Sequence, residues 1–288
     1  MTIVEQPRVV DLIEGGLAAL GLRAGSTVLI HSSLRRVGFL PAGPATLLQA
    51  VRRVLGPGGT VVVPTQTANN STTSRVYHRD TQGMDDDQRA RYEAAMQGFD
   101  RATSPSFEMG AFAEHVRRQP GAVRSGHPQT SLTALGPAAV ELMRVHEFRS
   151  HLGEESPLAA LYEAGADVAL LGVGYDSCTA LHLAEYRLPV GLHRSKDYRC
   201  YVMAGGCRRL AEFRALDLDD SDFAEMGVDL DRAGFVRQEQ VGQAAARLLP
   251  IRPAVDFAVD WLSRHRSKMH SNIGIDGLSS VGVAPRHP

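Results

Sequence analysis

The chain has 288 residues, 43% of them hydrophobic, enough for one large domain with a sizeable core and no need of covalent staples. Its 31 Lys and Arg are balanced by 32 Asp and Glu, so the formal net charge of -1 supplies no field that would gather nucleic acid or an anionic membrane, and neither is expected as a partner. Cys178, Cys200 and Cys207 are an odd count without metal-ligand spacing, the N-terminal MTIVEQPRVV lacks a signal-peptide pattern, and no apolar run approaches the roughly 20 residues that span a bilayer. A soluble protein of the reducing cytoplasm, with no metal, is the expectation.

In chain order, Val9, Leu12, Ile13, Leu17 and Leu20 fall at helical spacing and Gly21 marks the stop. TVLI at 27–30 is a short buried strand that runs into His31-Ser32-Ser33-Leu34 and Val37-Gly38, and a second helix is expected over about 44–55. The glycine-rich turn at 56–59 leads to TVVVPT, a β-branched run typical of an interior parallel strand. From Gln66 to about Ser104 the apolar periodicity fades, which predicts a long surface insertion of the kind that often covers a substrate. Helices are expected at 109–118, 137–146 and 157–164, with a polar loop and a short strand over 124–135. VALLGV at 168–173 is the clearest buried strand, and Gly172 and Gly174 turn it toward LHLAEY. From about 197 the pattern becomes β-rich, with a hairpin turning at Gly205-Gly206, then a helix near 220–226 and another over 254–262. The Ser, Gly, Pro and His-rich stretch from 266 to 288 reads as a flexible tail.

These elements predict an α/β fold: a central mixed, largely parallel sheet flanked by helices, with a smaller β-rich C-terminal part. Residues 1–265 form a single domain in two parts. Ligands of such sheets gather beyond the carboxyl ends of the strands, which directs attention to the end of 168–173. There, His182 and Glu185 stand three residues apart on one helix face, a spacing that lets a carboxylate orient an imidazole acting as general base; the bland alternative is a solvated surface pair. His31-Ser32-Ser33-Leu34 with Val37-Gly38 offers backbone N–H groups to a pyrophosphate, yet carries no Walker or dinucleotide fingerprint. Arg124 suits a phosphate or carboxylate, and His127 is held extended by Pro128, although a capped surface turn explains the same residues. Cys178 near the helix start admits an acyl-enzyme route, against the reading of a small buried hydrophobe. A metal-dependent hydrolase built on His31, His127, His182 and Glu185 finds no supporting ligand spacing.

Taken together, HSSLRRVG at 31–38, GPGGTVVVPT at 56–65, MGAFAEHVRRQPGAVRSGHPQTSLTALGP at 109–137, SPLAALY at 156–162 and LLGVGYDSCTALHLAE at 170–185 resemble the aminoglycoside 3-N-acetyltransferase family, which is distinct from the GNAT fold. The resemblance covers most of residues 8–265. It implies acetyl-CoA as cosubstrate and a small-molecule amine, of aminoglycoside type, as acceptor, in a monomer or homodimer. His182 and Glu185 match its T-x-L-H-x-A-E motif as base and orienter, with Thr179 near the developing oxyanion. His31, Ser32, Ser33, Leu34, Val37, Gly38, Ser106 and Arg124 are implied on the cofactor side, and His127, Asp176 and Tyr77 on the substrate side. The run Asp176-Ser177-Cys178-Thr179 departs from the D-x-N-T of many relatives. The same fold also accommodates an acetyltransferase acting on another metabolite's amino group, or an inactive coenzyme A binding protein.

Overall fold

The computed structural model describes residues 5–276. In order these form α1 (Glu5–Leu20), β1 (Thr27–Ser32), α2 (Leu34–Val37), α3 (Pro44–Leu55) and β2 (Thr60–Pro64). Then come α4 (Arg75–Asp80), α5 (Asp86–Ala95), α6 (Gly110–Arg117), β3 (Val123–Arg124), β4 (Leu132–Leu135), α7 (Ala139–Leu142), α8 (Pro157–Glu163) and β5 (Asp167–Leu171). The last third supplies α9 (His182–Tyr186), β6 (Ser195–Ala204), β7 (Cys207–Leu216), α10 (Phe223–Arg232), β8 (Arg237–Val241), β9 (Ala244–Pro250) and α11 (Ile251–Asp276).

A seven-stranded mixed sheet runs β3-β4-β2-β1-β5-β9-β8, and β6 and β7 form a separate hairpin. The three central strands are mutually parallel: β1 pairs with β2 at Val28↔Val61 and with β5 at Ile30↔Ala169. Antiparallel strands extend the sheet on both sides, β4 against β2 and β9 against β5. The central strands are near-continuous apolar runs because both faces are covered. Val28, Ile30, Val61 and Val63 pack under α1, α3 and α6, while Leu29, Val62, Val168 and Leu170 pack under α8 to α11. After β1 the chain turns to the first of these faces, and after β5 to the second. The crevice between two adjacent parallel strands whose connections diverge is where such sheets bind ligands, and it opens beyond Ser32 and Leu171. Gly172 makes that turn at φ +69°, and a Cβ there would meet Arg36 Cβ at 2.8 Å.

Several expectations are corrected. The insertion at 66–104 is not an open loop. It carries α4 and α5 and clamps the hairpin, with Phe99 N donating to Tyr201 O at 2.8 Å and Met203 N to Phe99 O at 2.8 Å. Helix α5 has no buried residue, so it has no apolar stripe to read; its sequence signal is the capping box in which Asp85 and Gln88 bond each other's backbone N–H. The helix expected over 137–146 is only the short α7. Strands β8 and β9 went unread because ARLLP and its alanines carry no β-branched alternation. The expected tail from 266 instead begins inside α11, whose helical backbone continues to Asp276; the remainder of that tail lies outside the described residues.

Three histidines are sealed between the insertion, the loop after α7 and the hairpin. The ring of His127 lies 4.8 Å from that of His146 and 4.6 Å from that of His151, and His151 packs 4.2 Å from Tyr198. His127 Nδ1 accepts N–H bonds from Gln129 and Thr130 at 3.1 Å, and its Nε2 donates to Phe148 O at 3.2 Å, which fixes a neutral tautomer. Burial holds His146 down to about 4, and burial with the neighbouring His146 holds His151 down to about 3. Since these folded-state values lie below the unfolded 6.5, the unfolded chain binds the extra protons and stability falls as pH drops below about 6.5. Each such histidine costs about 2 kcal/mol of stability at pH 5 relative to neutral pH. Thermal unfolding followed by circular dichroism should therefore give a midpoint that is flat above pH 7 and descends steeply between pH 6.5 and pH 4. A midpoint unchanged at pH 5 would show that the three rings can take protons in the folded state.

Candidate active site

The crevice beyond β1, β2 and β5 is a cleft of about 570 Å³. One wall comes from the end of β1 and the turn into α2: His31, Ser32, Ser33, Leu34 and Arg35. Another is the start of α6, with Met109, Gly110 and Ala111. Asp176, Ser177, Thr179 and His182, from the segment after β5, form the third, with Asp220 at its rim.

That segment folds as two consecutive 3-10 turns, Tyr175–Ser177 and Thr179–Leu181, before α9 begins at His182. Leu181, Leu183 and Ala184 are wholly buried, and this anchors the short helix under α11 with His182 facing the cleft. One turn along, Glu185 is 1% exposed. Its Oε2 lies 2.5 Å from His182 Nδ1, while Oε1 accepts from the Asp219 backbone N–H at 3.0 Å and from Arg266 Nη1 at 2.7 Å. A carboxylate against Nδ1 assigns the ring proton to that nitrogen and leaves Nε2 with a lone pair in the neutral imidazole. The His182 ring also rests 4.9 Å from the Phe223 ring, which limits its rotation.

His31 shares the cleft with His182. Burial, helped by proximity to His182, lowers its pKa to about 4, and its Nε2 finds no hydrogen-bond partner among the described residues. It is therefore a neutral imidazole at neutral pH. Cys178 is 1% exposed and burial pushes its thiol up to about 12, so it is a packed hydrophobe rather than a nucleophile. On the far side of Glu185 lies a second, smaller cavity of about 290 Å³, whose lining includes Asp217, Asp219, Asp222, Glu225 and Arg266.

His31, Ser32, Ser33, Leu34, Asp176, Thr179 and His182 thus meet on one cleft, with Glu185 directly behind. Six expected site residues are placed elsewhere. The Arg124 guanidinium is buried and committed to the protein, bonding Ser131 Oγ at 3.0 Å and the carbonyls of Ser104 and Thr65 at 2.5 Å, so no arm is directed at a phosphate. His127 belongs to the sealed histidine cluster, with both ring nitrogens engaged. Tyr77 is buried in the insertion, its hydroxyl 2.5 Å from Glu93 Oε1. Ser106 is tied through N and Oγ to Glu114 Oε2 at 2.9 Å. Val37 is buried in the core beneath the sheet, and Gly38 packs against the Gln243 side chain. Arg35, Glu108 and Arg266 escaped the sequence reading. Arg35 sits inside the HSSLRRVG run, Glu108 lines the cleft at φ +57°, a strained backbone for a non-glycine residue, and Arg266 stands in a stretch whose composition reads as a tail. Among the described residues no group of three or more His, Cys, Asp or Glu is placed to hold a metal ion, and no helix is long and apolar enough to cross a membrane.

Comparison with known proteins identifies the family to which the chain belongs. The family profile for aminoglycoside 3-N-acetyltransferase matches residues 29–263. The chain is 32% identical over 263 residues to the SPbeta prophage-derived aminoglycoside N(3')-acetyltransferase-like protein YokD of Bacillus subtilis (strain 168), covering 91% of this chain and 95% of that protein. The crystal structure of YokD superposes with a TM-score of 0.83, over 90% of this chain and 94% of that one. Aminoglycoside N(3)-acetyltransferase VII of Streptomyces paromomycinus is 34% identical, covering 85% of this chain and 88% of its own length. The solved structure of AAC-IIIb in a binary complex with CoASH is 30% identical at a TM-score of 0.77, covering 88% and 95%. With its sequence matched over most of its length and its sheet reproduced, the chain belongs to the aminoglycoside 3-N-acetyltransferase family of acyltransferases.

Proposed function

We propose that the protein transfers the acetyl group of acetyl-CoA directly to an amine of an aminoglycoside, with His182 as general base. The observation that carries this reading is the 2.5 Å contact of His182 Nδ1 with the buried Glu185 carboxylate on the wall of the cleft beyond β1 and β5. A neutral imidazole held in this way presents Nε2 to a proton donor, and the carboxylate stabilises the imidazolium that results. The amine nitrogen bonds to the thioester carbonyl carbon while its proton passes to His182. The carbon–sulfur bond then breaks, and the imidazolium returns the proton to the departing thiolate as coenzyme A. Thr179, a residue of the same wall, supplies a hydroxyl donor for the oxyanion of the intermediate on this reading.

Acetyl-CoA as donor is supported by the CoASH complex of AAC-IIIb and by the character of the first two walls. The Arg35 side chain, the hydroxyls of Ser32 and Ser33 and the N-terminus of α6 suit an anionic pyrophosphate. An aminoglycoside acceptor is supported by the names of the relatives and by the carboxylate of Asp176 on the cleft, beside Asp220 in its ion pair with Arg75. Direct transfer is favoured over an acyl-enzyme because the Cys178 thiol is buried and protonated at neutral pH.

Thiol release from acetyl-CoA should be measured against gentamicin, neomycin, a polyamine and simple amino acids. Turnover is expected with the aminoglycosides. Release with the other amines alone would move the acceptor to another metabolite, and coenzyme A binding without release on any acceptor would leave a binding protein. His182→Ala should lower kcat by about 10²- to 10⁴-fold while calorimetry still detects coenzyme A binding; near-normal turnover in that variant would remove the base assignment. Cys178→Ala should keep turnover within about threefold of the parent, and loss of activity in a folded Cys178→Ala protein would revive the acyl-enzyme route.

A further inference from the structure

Glu185 directs one oxygen at the base and the other at Arg266, a residue of α11 beyond position 263, where the match to the family profile ends. We propose that Arg266 is a positioning residue for acetyl transfer: its guanidinium fixes the Glu185 carboxylate, and through it the proton of His182. The inference rests on the reading of His182 as general base.

The geometry is that of a clamp. Arg266 Nη1 donates to Glu185 Oε1 at 2.7 Å, Nε and Nη2 fork onto the Asp222 carboxylate at 2.8 and 2.9 Å, and Nη2 also donates to Asp219 O at 2.7 Å. The Asp219 backbone in turn donates its N–H to the same Glu185 oxygen at 3.0 Å. A carboxylate bonded on one oxygen alone can swing about its last torsion. Bonded on both, it holds Oε2 toward Nδ1. A planar guanidinium supplies this in a way an ammonium does not, since three of its nitrogens bond two carboxylates and a carbonyl in one plane.

The clamp is itself fixed. Trp261, five residues earlier on α11, donates Nε1–H to Asp229 Oδ2 of α10 at 2.9 Å, and its ring stacks 4.3 Å from that of His265. The charged groups that share the smaller cavity with Glu185 and Arg266 are Asp217, Asp219, Asp222, Glu225, Arg194 and His265. In this mainly acidic surrounding, the Arg266 cation balances the Glu185 charge that faces away from the imidazole. Asp220, between the two residues that Arg266 holds, lines the main cleft, where its carboxylate is paired with Arg75 at 3.0 Å.

Full-length Arg266→Gln and Arg266→Lys proteins test this, with acetyl-CoA and the best acceptor from the panel above. In Arg266→Gln, kcat should fall about 10- to 100-fold, with KM for acetyl-CoA within about twofold of the parent. With no cation to share the Glu185 charge, the imidazolium is favoured and the acid limb of the pH profile should move to higher pH. Arg266→Lys keeps the charge without the fork; its acid limb should return toward the parent position while kcat stays intermediate. The Nδ1 proton of His182, observed by NMR without any turnover, should shift in Arg266→Gln. An unmoved acid limb and Nδ1 resonance in both variants, with only a lower unfolding midpoint, would overturn the proposal and leave Arg266 a structural tie. His182→Ala assayed alongside separates the two readings. Normal turnover there defeats the base assignment itself, whereas a dead His182→Ala beside an unaffected Arg266→Gln defeats only the clamp.

Discussion

A carboxylate that is 1% exposed must have its charge answered inside the protein, and the organisation of the C-terminal half follows from how Glu185 is answered. Removing one partner of a buried pair of this kind costs about 3–5 kcal/mol, because the remaining charge is left unpaired. Three separate pieces of chain supply the partners: His182 from its own helix, the Asp219 N–H from the loop after the hairpin, and Arg266 from α11. None of the three lies near another in sequence, and only His182 is close to Glu185 along the chain. The carboxylate thereby ties α9, the acidic loop and α11 into one body, and the imidazole it orients is held by the same bonds that hold the fold.

The sheet determines where that body can act. β1 and β5 are adjacent and parallel, and their connections leave toward opposite faces, so their carboxyl ends cannot be covered by either crossover. His31 on one strand end and His182 beyond the other face a common opening. Gly172 makes the departure possible through a left-handed turn packed against Arg36, where a Cβ has no room. Burial keeps His31 neutral, which leaves two histidines side by side without mutual charge repulsion at neutral pH.

What could be read from the sequence was whatever is encoded locally. The apolar runs at 27–30, 60–65 and 168–173 are sheet strands because both their faces are buried, and an i, i+3 spacing is enough to pair His182 with Glu185. Arg124 and His127 misled for a physical reason. A buried polar side chain and a ligand-binding one are chemically the same in sequence, and only the carbonyls of Ser104 and Thr65, or the N–H groups of Gln129 and Thr130, show that these two are spent inside the protein. Arg266 was missed for the converse reason. Its partners lie 44 and 81 positions away, and the stretch from 266 to 276 has too few apolar residues to announce the helix that carries it. Helix α5, bound to the rest by no buried side chain, shows the same limit from the opposite side.

The two cavities bear on how a direct transfer could be arranged. The main cleft and the smaller acidic one lie on either side of the His182–Glu185 pair, and the loop 217–222 contributes to both, Asp220 to the first and Asp219 and Asp222 to the second. Under the proposed function, a polycationic acceptor would meet a loop whose negative charge is already partly balanced by Arg266 on Asp222 and Arg75 on Asp220. On the proposed scheme this has a definite consequence. The acidic loop attracts the acceptor without drawing the Glu185 charge away from the imidazole, because that carboxylate is saturated by bonds before any substrate arrives. Attraction of the acceptor and activation of its amine thus fall to different carboxylates, and the guanidinium between them keeps the two tasks apart.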